Sequence, residues 1–353
     1  MTFDAAIIGG GPAGAAAALS LRQLMPDAMI AVFDSGTGAR WRPGEILSPG
    51  ATGILKSLGC EDAFRTCGFV ESFGTRAVWS TPEPYDNEFL FSLRGNGWRL
   101  DRARFDAMLR QCAKDAGIEI HTAMTLLDSR PESSGWRLQF RGFEVQARFV
   151  IDASGRSAAF AVQCGARRLP DDRLASSIVR FEGVGGLDTL IEAVETGWWY
   201  SAAIPGAQAV AAFMTDTDIV RESHLHLVAG WNEMLAGSTP TRERLRGLVP
   251  KGPPNVFAAH SQHLDRTGGP GWVAAGDAAM AFDPLSSLGI LKALRSGKLA
   301  SFVAADFLLR EIESHQKYEQ LASAEYAAYR KTKSEYYGME SRWPASVFWK
   351  RRR

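Results

Sequence analysis

Cysteine is scarce in this chain: there are 4 in 353 residues, at Cys60, Cys67, Cys112 and Cys164. No two are spaced CxxC and no histidine pattern accompanies them. Neither a zinc site nor a disulfide framework is expected, and a reducing, cytoplasmic setting fits. Net charge is nearly absent too. The 40 Lys and Arg against 39 Asp and Glu give +1, which provides no overall field for nucleic acid or a membrane surface. Long apolar runs are missing, and the N-terminal one is broken by glycine and proline within a few residues. Neither a signal peptide nor a membrane span is expected there. The 6 histidines (His121, His224, His226, His260, His263 and His315) show no metal-ligand spacing. No metal and no catalytic base are assigned, and each histidine reads first as structural. His224 and His226 alternate as on a strand or sit in a polar loop, while His260 and His263 precede a return to the first layer, where one of them would meet a substrate. The basic tail Lys350–Arg353 reads as a solvated terminus.

What the chain does have is an ordinary globular composition, 46% hydrophobic and 22% charged, and length enough for two joined domains. It opens with FDAAIIGGGPAGAAAALSLRQL from Phe3. Ala5–Ile8 reads as a buried strand, Ala13–Leu24 as an alanine-rich helix and Met29–Phe33 as a second strand closed by Asp34. Between strand and helix stand Gly9, Gly11 and Gly14, a GxGxxG. The first glycine permits the turn, the second lets a pyrophosphate reach the backbone, and the third lets helix and strand pack closely. Unpaired N–H groups at the helix start, around Pro12 and Ala13, then face the anion. Asp34, 20 residues beyond Gly14, stands with Ser35 where a ribose contact is needed. A tight turn alone explains one glycine, not three with an acid at that spacing. The pattern predicts an adenine dinucleotide and leaves NAD and FAD open.

Further along, Arg104–Ala116 reads as a helix, and Ile118–His121 and Phe149–Ala153 as strands. From about residue 176 the texture changes: Ser177–Glu182, Gly197–Ile204 and Val210–Met214 look like a different, antiparallel sheet. Thr241–Leu248 reads as a short helix, Trp272–Ala275 returns to a buried strand, and the chain is largely helical from Leu288. The expected fold is α/β: a Rossmann-like dinucleotide domain (residues 1–72, 98–175 and 265–310) interleaved with a mixed or antiparallel sheet domain (73–97 and 176–264), and a helical C-terminal segment (311–353).

The stretch WVAAGDAAMAFDP at Trp272–Pro284 resembles the large family of flavoprotein monooxygenases, halogenases and geranylgeranyl-type reductases. Asp152-Ala153-Ser154-Gly155-Arg156, the helix carrying Arg102, Phe105, Asp106 and Leu109, and the loop Arg42-Pro43-Gly44-Glu45 are similar to the same family. The resemblance implies FAD in a fold like that of p-hydroxybenzoate hydroxylase. It places Gly276 and Asp277 on the ribityl chain and the loop and helix start Asp283–Ile290, with Pro284, Gly289 and Ile290, against the flavin ring. It puts Asp152 and Gly155 near the pyrophosphate, Arg102 on the cofactor, and Arg42 and Glu45 in the loop closing over FAD. For each arginine taken singly, a surface salt bridge is the alternative. Only one GxGxxG is present, so electrons come from a docking NAD(P)H, a separate reductase or the substrate.

In the halogenase branch, the resemblance implies a lysine within the first hundred residues and a WxWxIP segment. No lysine lies between Lys56 and Lys114, and the corresponding strand, GWWYSAAIP from Gly197, has altered spacing. Halogenation is therefore not expected. Trp198, Trp199 and Tyr200 line a substrate pocket or fill the core, two readings left open here. The segment Asp283–Leu294 and the C-terminal Tyr336-Tyr337…Glu340-Ser341-Arg342-Trp343-Pro344…Phe348-Trp349 resemble the flavoproteins that accompany lysine ε-oxidase and glycine oxidase. Those imply oxygenation of a tryptophan in a precursor on the way to cysteine tryptophylquinone. Leu288 stands where that resemblance leads one to expect glutamine, and the C-terminal aromatics alternatively cap the helical end. The expected activity is FAD-dependent hydroxylation of a tryptophan-like aromatic, free or in a precursor protein or peptide. A small-molecule tailoring enzyme, a geranylgeranyl-type reductase and a non-enzymatic flavoprotein escort stand as alternatives.

Overall fold

A computed structural model describes residues 1–37, 41–88, 95–183 and 188–353. Parts of the expected sheet domain, residues 89–94 and 184–187, lie outside the described residues. The first layer opens with Thr2–Ile8 (β1), Pro12–Leu24 (α1) and Ile30–Asp34 (β2), then adds Arg102–Asp115 (α2), Glu119–Thr122 (β3) and Phe143–Asp152 (β4). The second layer holds Leu174–Glu182 (β5), Thr189–Val194 (β6), Gly197–Ile204 (β7) and Gln208–Asp216 (β8). The chain then returns to the first layer at Trp272–Ala274 (β9) and ends in three helices, Gly289–Arg310 (α3), His315–Met339 (α4) and Val347–Lys350 (α5).

In the first layer the strand order is β9-β4-β1-β2-β3, all parallel, with a hairpin at Leu126–Phe140 running off β4. Chain direction across the sheet reverses between β1 and β4, so their carboxyl ends open a crevice of the kind in which such sheets bind ligands. β1, β2 and the last residues of β4 are nearly continuously buried because both faces are covered there, whereas the first half of β4 alternates buried and exposed residues. The cover on one side is α1 against α3, and its closeness is written in small residues. A Cβ on Gly297 of α3 would lie 2.2 Å from the Ala13 carbonyl oxygen, and one on Gly276 would lie 2.7 Å from the Ala13 Cβ.

The second layer is a sheet in the order β5-β8-β7-β6, antiparallel throughout. It continues through a parallel pairing of β6 with Gly74–Val78 and then Tyr85–Glu88. Its two faces pack separately. One, carrying Trp198, Ala202, Val210 and Met214, meets Trp41 and Leu285 from loops of the first layer and Tyr337, Phe348 and Trp349 from the C-terminal helices. The other, carrying Trp199 and Phe213, lies under short helices that supply Val220, Trp231 and Leu245. No helix among the described residues is long and apolar enough to cross a membrane.

The element boundaries depart modestly from the sequence expectation. Residues expected as helix over Thr241–Leu248 form a helix only over Pro240–Leu245, because the backbone turns at Gly247 with a φ of +79°. Lys350, Arg351 and Arg353 of the basic tail are exposed as expected, but Arg352 is not. Arg352 Nη2 lies 2.5 Å from Asp216 Oδ1 in β8, with both side chains buried, and its guanidinium stacks on Phe348. Nor do the C-terminal aromatics merely cap a helix; they complete the core of the second sheet.

Candidate active site

The glycine turn lies at the mouth of the β1–β4 crevice. A Cβ on Gly9, whose φ is +109°, would sit 2.3 Å from the Ala153 carbonyl oxygen, and one on Gly14 would sit 1.9 Å from that of Gly9. Neither position admits a side chain. Gly11 differs, since nothing lies within 4 Å of where its Cβ would be. It is the N-cap of α1, with Pro12 next and no side chain capping the first N–H groups. An open, uncapped helix start beside bare backbone suits an anionic pyrophosphate. Asp34, at the end of β2, is buried beside Gly10 and accepts from the Gly36 N–H at 3.1 Å, leaving Oδ2 for a ribose hydroxyl. Ser35 is exposed next to it.

Asp152 closes the turn that follows β4. Its carboxylate is fully buried and accepts from the N–H groups of Ser154, Phe160 and Ala161 at 2.9, 3.0 and 2.8 Å. Burial raises its pKa against these bonds. It fixes the turn through Gly155, whose φ is +74°. Arg102 pairs with Asp106 at 2.9 Å and donates to the Pro43 carbonyl at 3.1 Å, so it anchors the loop that carries Arg42 and Glu45. Arg42 is exposed.

On the far side of α1, Gly276 adopts a φ of +64° and donates its N–H to Ser296 Oγ at 2.8 Å. Asp277 follows, partly open to solvent, and Lys292 Nζ lies 2.6 Å from its Oδ1. Lys292 is 1% exposed and also donates to the Met280 carbonyl. Burial acts to raise the Asp277 pKa, but the charges of Lys292, Arg156 and Arg102 outweigh it and hold the carboxyl below its usual value. Sequence reasoning missed Lys292. Its signal was a lone cation three residues into the apolar start of a helix. The loop Asp283–Leu288 leads into α3, whose N-cap Leu288 supplies no side-chain cap. Pro284, Leu288 and Gly289 are exposed and Ile290 is buried. A second open helix start therefore faces outward here, suited to partial negative charge.

Asp283 holds that loop. It accepts from the Leu285 N–H at 2.9 Å and from Tyr337 Oη at 2.8 Å, while its own N–H donates to Tyr329 Oη at 2.7 Å. Burial pushes its pKa up, partly offset by Lys333. Tyr337 accepts in turn from Trp198 Nε1 at 3.0 Å. Trp198 is therefore core, tied to the loop, and Trp199 lies on the opposite face of β7 under Trp231. The pocket expectation fails for Trp199 because adjacent strand residues point to opposite sides. Tyr200 faces the loop side with Ile191 and Ile204, and its hydroxyl has no hydrogen-bond partner among the described residues. Burial, then the charge of Glu45, push its pKa well above the ordinary value. Glu45 is 5% exposed; its Oε2 accepts from the Gly44 N–H at 3.1 Å, and Oε1 has no partner among the described residues. Burial raises its pKa against the Gly44 bond and the charges of Arg102 and Arg180.

His224 and His226 are exposed. His260 bonds Gln262 at 3.0 Å and His263 packs on Tyr326. Among the described residues no group of three or more His, Cys, Asp or Glu is placed to hold a metal.

The profile of the family described as FAD binding domain matches residues 2–186. Across the whole chain, the protein is 30% identical to an FAD-dependent oxidoreductase, LodB of Marinomonas mediterranea, covering 99% of this chain and 97% of the relative. It is 25% identical to a 1H-pyrrole-2-carbonyl-[peptidyl-carrier protein] chlorinase of Pseudomonas fluorescens, over 85% of this chain and 75% of that one. Among solved structures, the myxobacterial chondrochloren halogenase CndH superposes with a TM-score of 0.90 at 22% identity, covering 100% of this chain and 86% of that one. The peptidyl tryptophan dihydroxylase QhpG superposes at 0.82 and 23%, covering 100% and 79%. The open α1 start, the close-packed glycines and the partly open Asp277 fit the group these relatives share. The chain belongs to the FAD binding domain family, and it is an FAD-dependent oxidoreductase in the fold of the flavin-dependent halogenases.

Proposed function

We propose that the protein is a monooxygenase that hydroxylates a tryptophan-like aromatic carried in a precursor protein or peptide. Reduced and supplied with O2, FAD provides an electrophilic oxygen atom, and the protein's part is to bind, orient and keep water out. In this reading residues 1–72, 98–175 and 265–310 carry the cofactor. The α1 start at Gly11–Ala13 takes the pyrophosphate, Asp34 the adenosine ribose and Asp277 the ribityl chain, with Lys292 keeping Asp277 ionised. The α3 start at Leu288–Ile290 takes the ring. The substrate lies between that loop and the face of β7 that carries Tyr200.

One observation carries hydroxylation over halogenation: Lys56, the single lysine of the first hundred residues, is exposed on a helix at the surface. No ammonium from that region reaches the cleft between the layers. The structural likeness to QhpG, a peptidyl tryptophan dihydroxylase, supports a peptidyl tryptophan, while the relatives also include halogenases, one acting on a carrier-bound pyrrole and one on tryptophan.

The test is aerobic turnover of the reduced holoprotein with a tryptophan-containing precursor, followed by mass spectrometry. The expected result is a gain of about 16 Da per inserted oxygen, from the flavin chemistry above, absent under argon. Turnover without O2 would indicate a saturating reductase. Co-purification with no mass gain would indicate an escort.

A further inference from the structure

The chain passes from the first sheet to the second between Asp152 and Leu174, and back between Ala258 and Gly268. The two passages pair with each other, Arg168–Pro170 antiparallel to Gln262–Leu264. One side chain of α4 joins them. Lys333 Nζ donates to Asp172 Oδ2 on the outward passage and, at 2.6 Å, to Ser261 Oγ on the return. Asp172 is fixed in turn, accepting from the Leu174 N–H at 2.9 Å and the Ser261 N–H at 3.3 Å. From this cluster two routes lead to the loop ahead of α3. Lys333 Nζ lies 3.9 Å from Asp283 Oδ2. Ser261 Oγ also bonds Tyr329 Oη at 2.6 Å, and Tyr329 Oη accepts the Asp283 N–H at 2.7 Å.

Two carboxylates therefore share one ammonium, with 14% of the Lys333 side chain, 16% of Asp172 and 1% of Asp283 exposed. Ion clusters so far out of water add little net stability over apolar packing, and their best-attested use is to hold one arrangement against others. The arrangement held here is a strained one. Ser287 has a φ of +51°, a left-handed conformation that costs a residue with a Cβ about 1 kcal/mol or more and persists only where its surroundings over-determine it. It is followed directly by Leu288, the N-cap of α3.

We propose that Lys333 is a positioning residue for the cofactor ring: by tying Asp283 to both passages between the layers, it aims the α3 start. This rests on the reading in which Leu288–Ile290 take the ring. A helix start favours negative charge only close to its first turn, so a loosened loop leaves bound FAD harder to reduce.

The experiment measures the midpoint potential of the FAD-loaded protein by equilibration with a redox dye, with thermal melts alongside. Lys333→Met is expected to shift the reduced-to-oxidised ratio of bound FAD about tenfold towards oxidised at a fixed dye poise, about 30 mV for a two-electron couple. Lys333→Arg keeps the charge and the donors and is expected to recover part of that shift. Lys331→Met, exposed on the same helix, leaves the potential where it was. A merely structural lysine lowers the melting temperature without moving the potential, and that result overturns the inference. Should Lys333→Met fail to fold or to retain FAD, Ser261→Ala decides, since it removes one link and leaves every charge in place. A severalfold shift in the same direction is then expected, the scale of one hydrogen bond, and an unmoved potential overturns the inference. A moved potential in a protein that does not oxygenate a tryptophan-containing peptide sinks the functional reading alone; oxygenation with an unmoved potential sinks only this inference.

Discussion

Gly11 and Gly14 stand three residues apart and do opposite physical work. A methyl at Gly14 meets the Gly9 carbonyl oxygen at 1.9 Å, backbone against backbone, whereas a methyl at Gly11 meets nothing and its φ of −78° suits any residue. Gly14→Ala is therefore expected to destabilise the protein by about 3 kcal/mol or more. Gly11→Ala is expected to leave the apo melting temperature nearly unchanged while weakening FAD binding at least tenfold; thermal melts of both variants with and without FAD check the pair. Lys292→Met removes the buried cation of Asp277. Because Asp277 is partly open to solvent, the cost is expected near ~1–2 kcal/mol instead of the ~3–5 of a fully buried pair. The sign with pH is fixed: a carboxyl held low in the fold stabilises above the ordinary carboxylate range and loses that contribution on acidification. The gap between wild type and Lys292→Met in urea unfolding should be full at neutral pH and close in acid. The glycines were legible in the sequence because their roles are set by neighbours within a dozen residues. The tie of Trp198 to Tyr337 was not, because 139 positions separate them.

The helix α4 shows what periodicity carries and what it does not. Its buried residues, Tyr318, Ala322, Tyr326, Tyr329 and Tyr337, form one stripe at helical spacing, and that face was readable as apolar. Its task was not readable, since each hydroxyl finds its partner far along the chain. Tyr318 reaches the Ala274 carbonyl at 2.8 Å, Tyr329 the Asp283 N–H, and Tyr337 both Asp283 and Trp198. The helix joins the Asp283–Leu288 loop to the second sheet. Tyr337→Phe keeps the ring but strands the Trp198 N–H and an Asp283 oxygen. The expected cost is about 1–3 kcal/mol in chemical denaturation, with brighter fluorescence from a less firmly held flavin. The strand β7 gives the converse lesson. Its boundaries, Gly197–Ile204, match the sequence expectation, yet Trp198 and Trp199 were grouped together although alternation sends them to opposite faces.

At the level of the whole molecule, the C-terminal end of the chain closes its second layer. Arg351 binds Asp218 at 2.6 Å and Asp216 at 2.7 Å, while Arg352 takes the other side of Asp216. The Arg351 contact holds the Asp218 pKa down at about 2. Asp218 thus contributes stability above its ordinary value of 3.8, lost as pH falls towards 2. Asp218→Asn is expected to cost up to about 1 kcal/mol at neutral pH, the scale of a partly exposed pair. Its acid-unfolding curve should converge with that of wild type below about pH 3. A run of four basic residues reads as solvated by composition alone, because its acidic partners lie more than 130 positions earlier.

The contact of α1 with α3 reaches further still. With Gly276 and Gly297 pressed onto Ala13, the two open helix starts, one suited to the diphosphate and one to the ring, sit on a single unit that has no slack between its halves. With FAD placed as proposed, neither of its ends has an independent handle. Any repositioning of the ring during turnover has to be absorbed by the short hinge ahead of α3, where Ser287 already holds a φ of +51°, while the phosphate grip stays as fixed as an axle.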